Sequence, residues 1–88
     1  MTDAEIIKTI NDSMVKEFEL EPEKMTPDSH LVKDLGMDSL DFVDLVVILQ
    51  TAFGVKLRDE PEVRQIQTLG DLYRLVLEKK RQLESEAK

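Results

Sequence analysis

The sequence predicts an all-α fold: a small bundle of three long helices and one short helix, with a long loop between the first two. Three observations lead there. Apolar residues recur at helical spacing in three stretches, at residues 3–18, 39–53 and 69–83. Each stretch opens on a side chain suited to capping a helix, Thr2, Asp38 or Thr68. Proline and glycine punctuate the segments between them, at Pro22, Pro27, Gly36, Gly54 and Pro61.

The first helix follows a capping box, Thr2-Asp3-Ala4-Glu5, in which threonine and glutamate each take up a backbone amide. Ile6, Ile7, Ile10, Met14, Val15 and Phe18 form its inner stripe, and Asp12, Lys16 and Glu19 fall on the other side. Met14 reads as core packing. Pro22 and Pro27 then discourage continuous helix, and Asp28-Ser29 is turn chemistry. Leu20, Met25, Leu31, Val32 and Leu35 are expected to pin this long connection to the core. Its length exceeds that of an ordinary structureless loop, and such loops are often functional. His30 is the only histidine. With no cysteine and no second histidine it reads as a loop residue near the next turn.

The second helix is the centre of interest. Asp38 is placed to cap it, and Ser39 falls at its first position, at the positive end of the helix dipole. A phosphate on that hydroxyl would meet unpaired amides. Phe42, Val46, Leu49 and Phe53 centre one face, assigned to the core. The opposite arc holds Leu40, Asp41, Asp44, Val47, Ile48 and Thr51. Apolar groups mixed with carboxylates on an outward face suggest a docking surface, in which charge steers and apolar contact holds. Leu40 and Val47 are assigned to docking; Ile48 fits either docking or core. Gly54 closes the helix in the left-handed conformation. Val55-Lys56-Leu57 is an extended link, and Asp59 or Glu60 ahead of Pro61 starts a short helix over residues 60–65. Thr68-Leu69-Gly70-Asp71 caps the last long helix, with Leu69, Leu72, Tyr73, Val76 and Leu77 at helical spacing. Lys79, Lys80 and Arg81 are placed near its C-terminus, where positive charge suits the dipole.

The 88 residues are read as one domain, 1–88, with a frayed tail at 85–88. A chain of this size buries only about 60–65% of its unfolded surface, which leaves little room for an enclosed active site. Cysteine is absent, so no disulfide or thiolate metal site forms. No apolar run reaches the roughly 20 residues of a membrane span, and the acidic start is not a secretory signal. A soluble, cytoplasmic monomer is expected. The net charge of −7 is concentrated in residues 1–57, which hold 12 acidic and 5 basic side chains. A field of that sign repels nucleic acid and attracts basic protein surfaces. Nothing assembles a nucleophile, base and orienting partner, so no catalytic residue is assigned. Asp34, Asp38 and Asp41 loosely suggest a calcium loop, but its glycine position and closing glutamate are missing. No metal site is assigned, although a weak one among these acids stays open.

The segment Leu31-Val32-Lys33-Asp34-Leu35-Gly36-Met37-Asp38-Ser39-Leu40, followed by Asp41, Val43, Asp44, Leu45, Val46, Leu49 and Phe53, resembles the acyl carrier protein family. Asp38-Ser39-Leu40 is similar to the motif whose serine carries 4′-phosphopantetheine. The likeness covers nearly the whole chain and weakens after Leu57. It implies a carrier-type bundle whose first loop crosses the helices. It implies that a phosphopantetheinyl transferase, with coenzyme A and a divalent metal, places the arm on Ser39, and that the arm's thiol holds an acyl thioester for fatty-acid, lipid or polyketide synthesis. It further implies enzyme partners with basic docking surfaces, met by Asp38, Leu40, Asp41, Asp44, Val47 and Ile48. The Leu- and Val-rich seams could part to shield an acyl chain. Typical bacterial fatty-acid carriers have a run of glutamates before the phenylalanine matching Phe53, and here Gln50, Thr51 and Ala52 stand there. That departure, an apolar Phe42 and Ile48, and one extra residue between Leu57 and Ile66 suggest dedicated partners in a specialised pathway. Two competing readings are an aminoacyl or peptidyl carrier, and a non-carrier helical adaptor for a basic protein.

Overall fold

Each of the three α-helices begins where a side chain takes up amides that the helix itself leaves unpaired. The computed structural model describes residues 2–58 and 60–86. Among these the regular structure is helical: α1 (Asp3–Phe18), α2 (Ser39–Phe53) and α3 (Leu69–Glu86), with 3-10 turns at Pro22–Lys24 and Pro61–Gln65. At α1 the Glu5 N–H donates to Thr2 Oγ1 at 3.2 Å and the Thr2 N–H donates to Glu5 Oε1 at 2.9 Å. At α3 the Asp71 N–H donates to Thr68 Oγ1 at 3.2 Å. The Asp71 carboxylate accepts in return from the Gln67 and Thr68 N–H groups at 3.1 and 3.2 Å. α2 stops at Gly54, φ 67°, whose N–H reaches back to the Gln50 carbonyl at 2.9 Å. α1 stops at Glu19, which is left-handed at φ 54° without being glycine.

The segment expected as a short helix over 60–65 is a five-residue 3-10 turn with Pro61 at its start and no side-chain cap from Glu60. Asp59, the other expected cap, lies outside the described residues. A further 3-10 turn, Pro22–Lys24, interrupts the first connection. In both, proline fixes φ and gives up no needed amide. α3 continues to Glu86, so residues 85 and 86 are helical where a tail was expected; Ala87 and Lys88 lie outside the described residues. The basic triplet therefore sits within the helix and not at its end. Lys79 binds Glu60 at 3.1 Å, Lys80 donates to the Phe53 carbonyl at 3.4 Å, and Arg81 meets Asp3 at 3.4 Å. These side chains tie α3 to its neighbours, which uses their charge more directly than the dipole does.

α1 packs on both α2 and α3, and the second 3-10 turn packs on α3. Ile6, Ile10 and Met14 of α1 meet Leu45, Leu49 and Phe53 of α2 and Leu69, Leu72 and Val76 of α3 in one core. Leu45 was absent from the predicted core face and is fully buried. Burial on α2 extends beyond the stripe through Phe42 and Phe53 to take in Leu45, while Phe42, in the helix's first turn, is only half-buried. Val32, expected to pin the connection, is 59% exposed; Leu31 and Met37 do so instead.

The connection over residues 19–38 is held by the start of α3. Leu31 N–H donates to the Gln67 carbonyl at 2.9 Å, Leu69 N–H to the Ser29 carbonyl at 3.0 Å, and Gly70 N–H to the Pro27 carbonyl at 2.8 Å. His30 and Thr68 form an isolated antiparallel bridge. The approach is close enough that a β-carbon on Gly70 would stand 3.0 Å from the Pro27 carbonyl oxygen. Ser29 is buried but satisfied, donating to the Lys24 carbonyl at 2.6 Å and accepting from the Thr26 N–H at 3.0 Å.

Leu45→Ala should cost about 2–5 kcal/mol in a urea titration, whereas Leu40→Ala, at a side chain 76% exposed, should leave the midpoint nearly unchanged. A second test concerns acid. The hydrogen bonds from the Gln67 and Thr68 amides, with lesser help from Arg74, hold the Asp71 carboxyl below the ordinary value. Its contribution is complete above the unfolded value of about 3.9 and is lost as pH falls through the lower folded value. Stability measured between about pH 5 and pH 2 should therefore fall less steeply in Asp71→Asn than in the parent.

Candidate functional site

The geometry around Ser39 starts at His30. Its backbone N–H donates to Asp34 Oδ2 at 2.6 Å, and its imidazole Nδ1 accepts from the Val32 and Lys33 N–H groups at 3.2 and 3.1 Å. His30, expected as a loop residue near the turn, organises the turn over residues 31–35. The available signal was the four-residue spacing from His30 to Asp34, which lets each side chain reach the other's end of a single turn. Gly36, φ 70°, reverses the chain in a conformation that an L side chain rarely adopts. Its N–H donates to the Val32 carbonyl at 3.0 Å, and that of Met37 to the Leu31 carbonyl at 3.0 Å. Met37 is buried, so the chain is anchored one residue before it emerges at Asp38, Ser39 and Leu40, all exposed.

Asp38 caps α2 as its position predicts. The Asp41 N–H donates to Asp38 Oδ1 at 2.9 Å, and the Asp38 N–H donates to Asp41 Oδ2 at 3.3 Å. The Phe42 N–H is taken by the Asp38 carbonyl at 3.0 Å. The Ser39 and Leu40 amides come too early in the helix for an intrahelical partner. Ser39 is the first residue of α2, and its hydroxyl has no hydrogen-bond partner among the described residues. An exposed hydroxyl thus stands beside two open amides at the positive end of a helix dipole. This is the environment a phosphate ester on that oxygen would favour.

The outward face of α2 is partly as predicted. Leu40, Asp44 and Val47 are exposed and share one side, and Ile48 is half-buried. Val43, not assigned to any role from sequence, is 56% exposed beside them. Asp41 is half-buried and its carboxylate is folded back onto the Asp38 amide, so it acts first as a cap. Gln50 is half-buried and its side chain is tethered. Its Oε1 accepts from the Leu57 and Arg58 N–H groups at 2.9 and 2.6 Å, closing the link after α2. A sequence comparison of position 50 with partner-binding glutamates could not reveal that tether. No three of the described His, Cys, Asp or Glu side chains converge to hold a metal ion, and Asp34 is occupied by the His30 amide. Among the described residues no helix is long and apolar enough to cross a membrane.

Comparison with known proteins places the chain beside one family. The family model described as "Phosphopantetheine attachment site" matches residues 8–76. The chain is 36% identical over 72 residues to Acyl carrier protein 2 of Ralstonia nicotianae, covering 82% of this chain and 88% of that protein. It is 38% identical over 71 residues to the Acyl carrier protein of Wolinella succinogenes, covering 81% and 92% respectively.

Removing the cap should cost stability without touching the core. Asp38→Ala is expected to lower stability by about 0.5–2 kcal/mol, read in a thermal melt as about 4–8 °C per kcal/mol.

Proposed function

The chain belongs to the acyl carrier protein family, and on that premise we propose that Ser39 is the residue to which its 4′-phosphopantetheine is attached. The observation that carries the assignment is the exposed Ser39 hydroxyl at the first position of α2, beside two open amides and behind the Asp38 cap. The residues present fit the group: the hydroxyl oxygen can form the phosphodiester, and the Ser39 and Leu40 amides can face its non-bridging oxygens. When bound, the group supplies a thiol that holds acyl units as thioesters. The protein is a carrier and not an enzyme; its own residues anchor, orient and present.

Presentation falls to the outward face of α2. Leu40 and Val47 offer apolar contact and Asp44 a steering charge, with Asp38 at the rim and Asp41 and Ile48 in supporting places. Partners of this face are a phosphopantetheinyl transferase and acyl-transferring or synthase enzymes with basic docking surfaces. Residues 1–88 act as one cytoplasmic, monomeric carrier domain, with the turn Pro61–Gln65 standing for the short helix of a four-helix carrier bundle. The work lies in fatty-acid, lipid or polyketide synthesis. The inward tether of Gln50, with neutral Thr51 and Ala52 beside it, favours a specialised set of partners over the general fatty-acid ones.

Incubation with coenzyme A and a broad-specificity transferase should add one phosphopantetheinyl group by mass, and Ser39→Ala should abolish the gain while keeping a cooperative melt. A gain that persists in the folded variant would move the attachment elsewhere; no gain in either protein would favour an adaptor.

A further inference from the structure

His30 Nδ1 accepts from the Val32 and Lys33 N–H groups at 3.2 and 3.1 Å. Two donors aimed at one ring nitrogen require its lone pair, so the imidazole is neutral with its proton on Nε2. The nitrogen does here what an aspartate or asparagine oxygen does ahead of an ordinary helix. Asp34 reciprocates, its Oδ2 accepting from the His30 N–H at 2.6 Å. The Asp34 and Leu35 N–H groups close on the His30 carbonyl at 2.9 and 3.1 Å. One residue therefore holds the turn at both of its ends.

That turn stands directly ahead of Ser39. Gly36 and Met37, the last residues before the Asp38 cap, hang from the Val32 and Leu31 carbonyls. Leu31 has a second hold, its N–H on the Gln67 carbonyl, and both Leu31 and Met37 are buried. Val32 and Lys33 are exposed, and their amides rest on the imidazole. Loss of the imidazole bonds would free the outer turn while the two buried residues stay in the core.

Histidine caps differ from aspartate and asparagine caps in one respect: histidine ordinarily titrates near pH 6.5. With one histidine and no cysteine, the chain has no other side chain that ordinarily does so. The ring is half-buried, so a proton reaches it without unfolding. On Nδ1 that proton turns an acceptor into a donor, which then faces two N–H groups. The surrounding charges do not replace the lost bonds. Asp34 borders a surface recess with Glu19, Glu21 and Lys24, and Lys24 pairs with Glu21 at 3.2 Å. Glu23, Asp28 and Lys33, also on this connection, are exposed. Across the His30–Thr68 bridge, Asp71 is engaged by the Gln67 and Thr68 amides and by Arg74. At the start of α2, Asp38 and Asp41 cap each other's amides. An imidazolium drawn to Asp34 would leave the Val32 and Lys33 amides and compete with the His30 N–H, so it opens the same turn.

We propose that His30 is a positioning residue for the attachment serine, and that protonation at Nδ1 releases the turn over residues 31–35 and slows transfer of the arm to Ser39. This deepens the carrier reading and rests on it for the transfer step alone. In that transfer Ser39 Oγ bonds the β-phosphorus of coenzyme A, the bond to the departing adenosine 3′,5′-bisphosphate breaks, and the serine proton passes to the transferase or to solvent. His30 takes no part in those bonds. With the turn released, a smaller fraction of molecules presents the geometry the transferase binds, which raises the apparent KM and leaves kcat unchanged.

The test compares the parent with His30→Asn, whose Oδ1 stands on the same γ-carbon as Nδ1 and does not titrate. NMR spectra are followed between about pH 8 and about pH 5, across the histidine range. At the upper end the parent's ring nitrogens should show the Nε2–H tautomer. Its Val32, Lys33, Ser39 and Leu40 amides should then shift with the ring's own titration, while those of Leu45 and Leu49 stay in place. In His30→Asn the same amides should hold still. With coenzyme A and one transferase, the parent-to-variant ratio of kcat/KM for the carrier should fall by up to about tenfold per pH unit below about 6.5, in KM and not in kcat. Taking the ratio cancels the transferase's own pH dependence. An Nδ1–H tautomer, amides that ignore the ring's titration, equal movement in the variant, or a ratio independent of pH overturns the proposal. Should His30→Asn fail to melt cooperatively, the parent's tautomer and its Ser39 and Leu40 shifts decide. No transfer in either protein at any pH removes the attachment reading and overturns the transfer half of the proposal, while the amide titration still decides whether protonation releases the turn.

Discussion

Buried backbone must find partners, and in this protein that constraint falls hardest on the twenty residues between α1 and α2. They have no sheet and little helix in which to pair. Their solution is the amino end of α3, where Leu31, Leu69 and Gly70 exchange backbone hydrogen bonds with Gln67, Ser29 and Pro27. The arrangement does two jobs at once. It satisfies a long irregular segment, and it fixes the place from which the chain turns through Gly36 and Met37 into α2. The position of Ser39 is therefore set by contacts made mostly outside its own helix.

α2 divides its circumference among three tasks. Leu45, Leu49 and Phe53 fill the core, Val43 and Val47 border a cleft, and Leu40 and Asp44 face solvent. A helix with apolar residues nearly all round would be a liability alone in water. Here the second 3-10 turn, held by Lys79 to Glu60 and by Gln50 to Arg58, shelters one flank. The remaining exposed apolar groups are the ones a partner could cover.

Much of this was legible in the sequence because it is local. The caps at Thr2, Asp38 and Thr68, and the closure at Gly54, depend on residues within a few positions of one another. The exposed serine followed from its place beside Asp38. What escaped the sequence is what depends on remote packing. Leu45 is core because packing against α1 buries more of α2 than one stripe suggests. Val32 is exposed because Leu31, on the adjacent position of the turn, is the one aimed inward. Residue type hid the roles of Asp41 and Gln50: a carboxylate and an amide on a helix look like surface until their acceptors are found occupied. The left-handed Glu19 had no sequence signal, since glycine or asparagine is the usual residue at that position.

The Ser39 side chain takes no part in holding the molecule together. The capping is done by Asp38 and Asp41, the anchoring by Met37, and the hydroxyl has no bond of its own among the described residues. Folding and the attachment proposed for Ser39 therefore rest on different positions, even where these adjoin in the chain. On the attachment proposed above, a single substitution at Ser39 would silence a duplicated copy while leaving its scaffold intact.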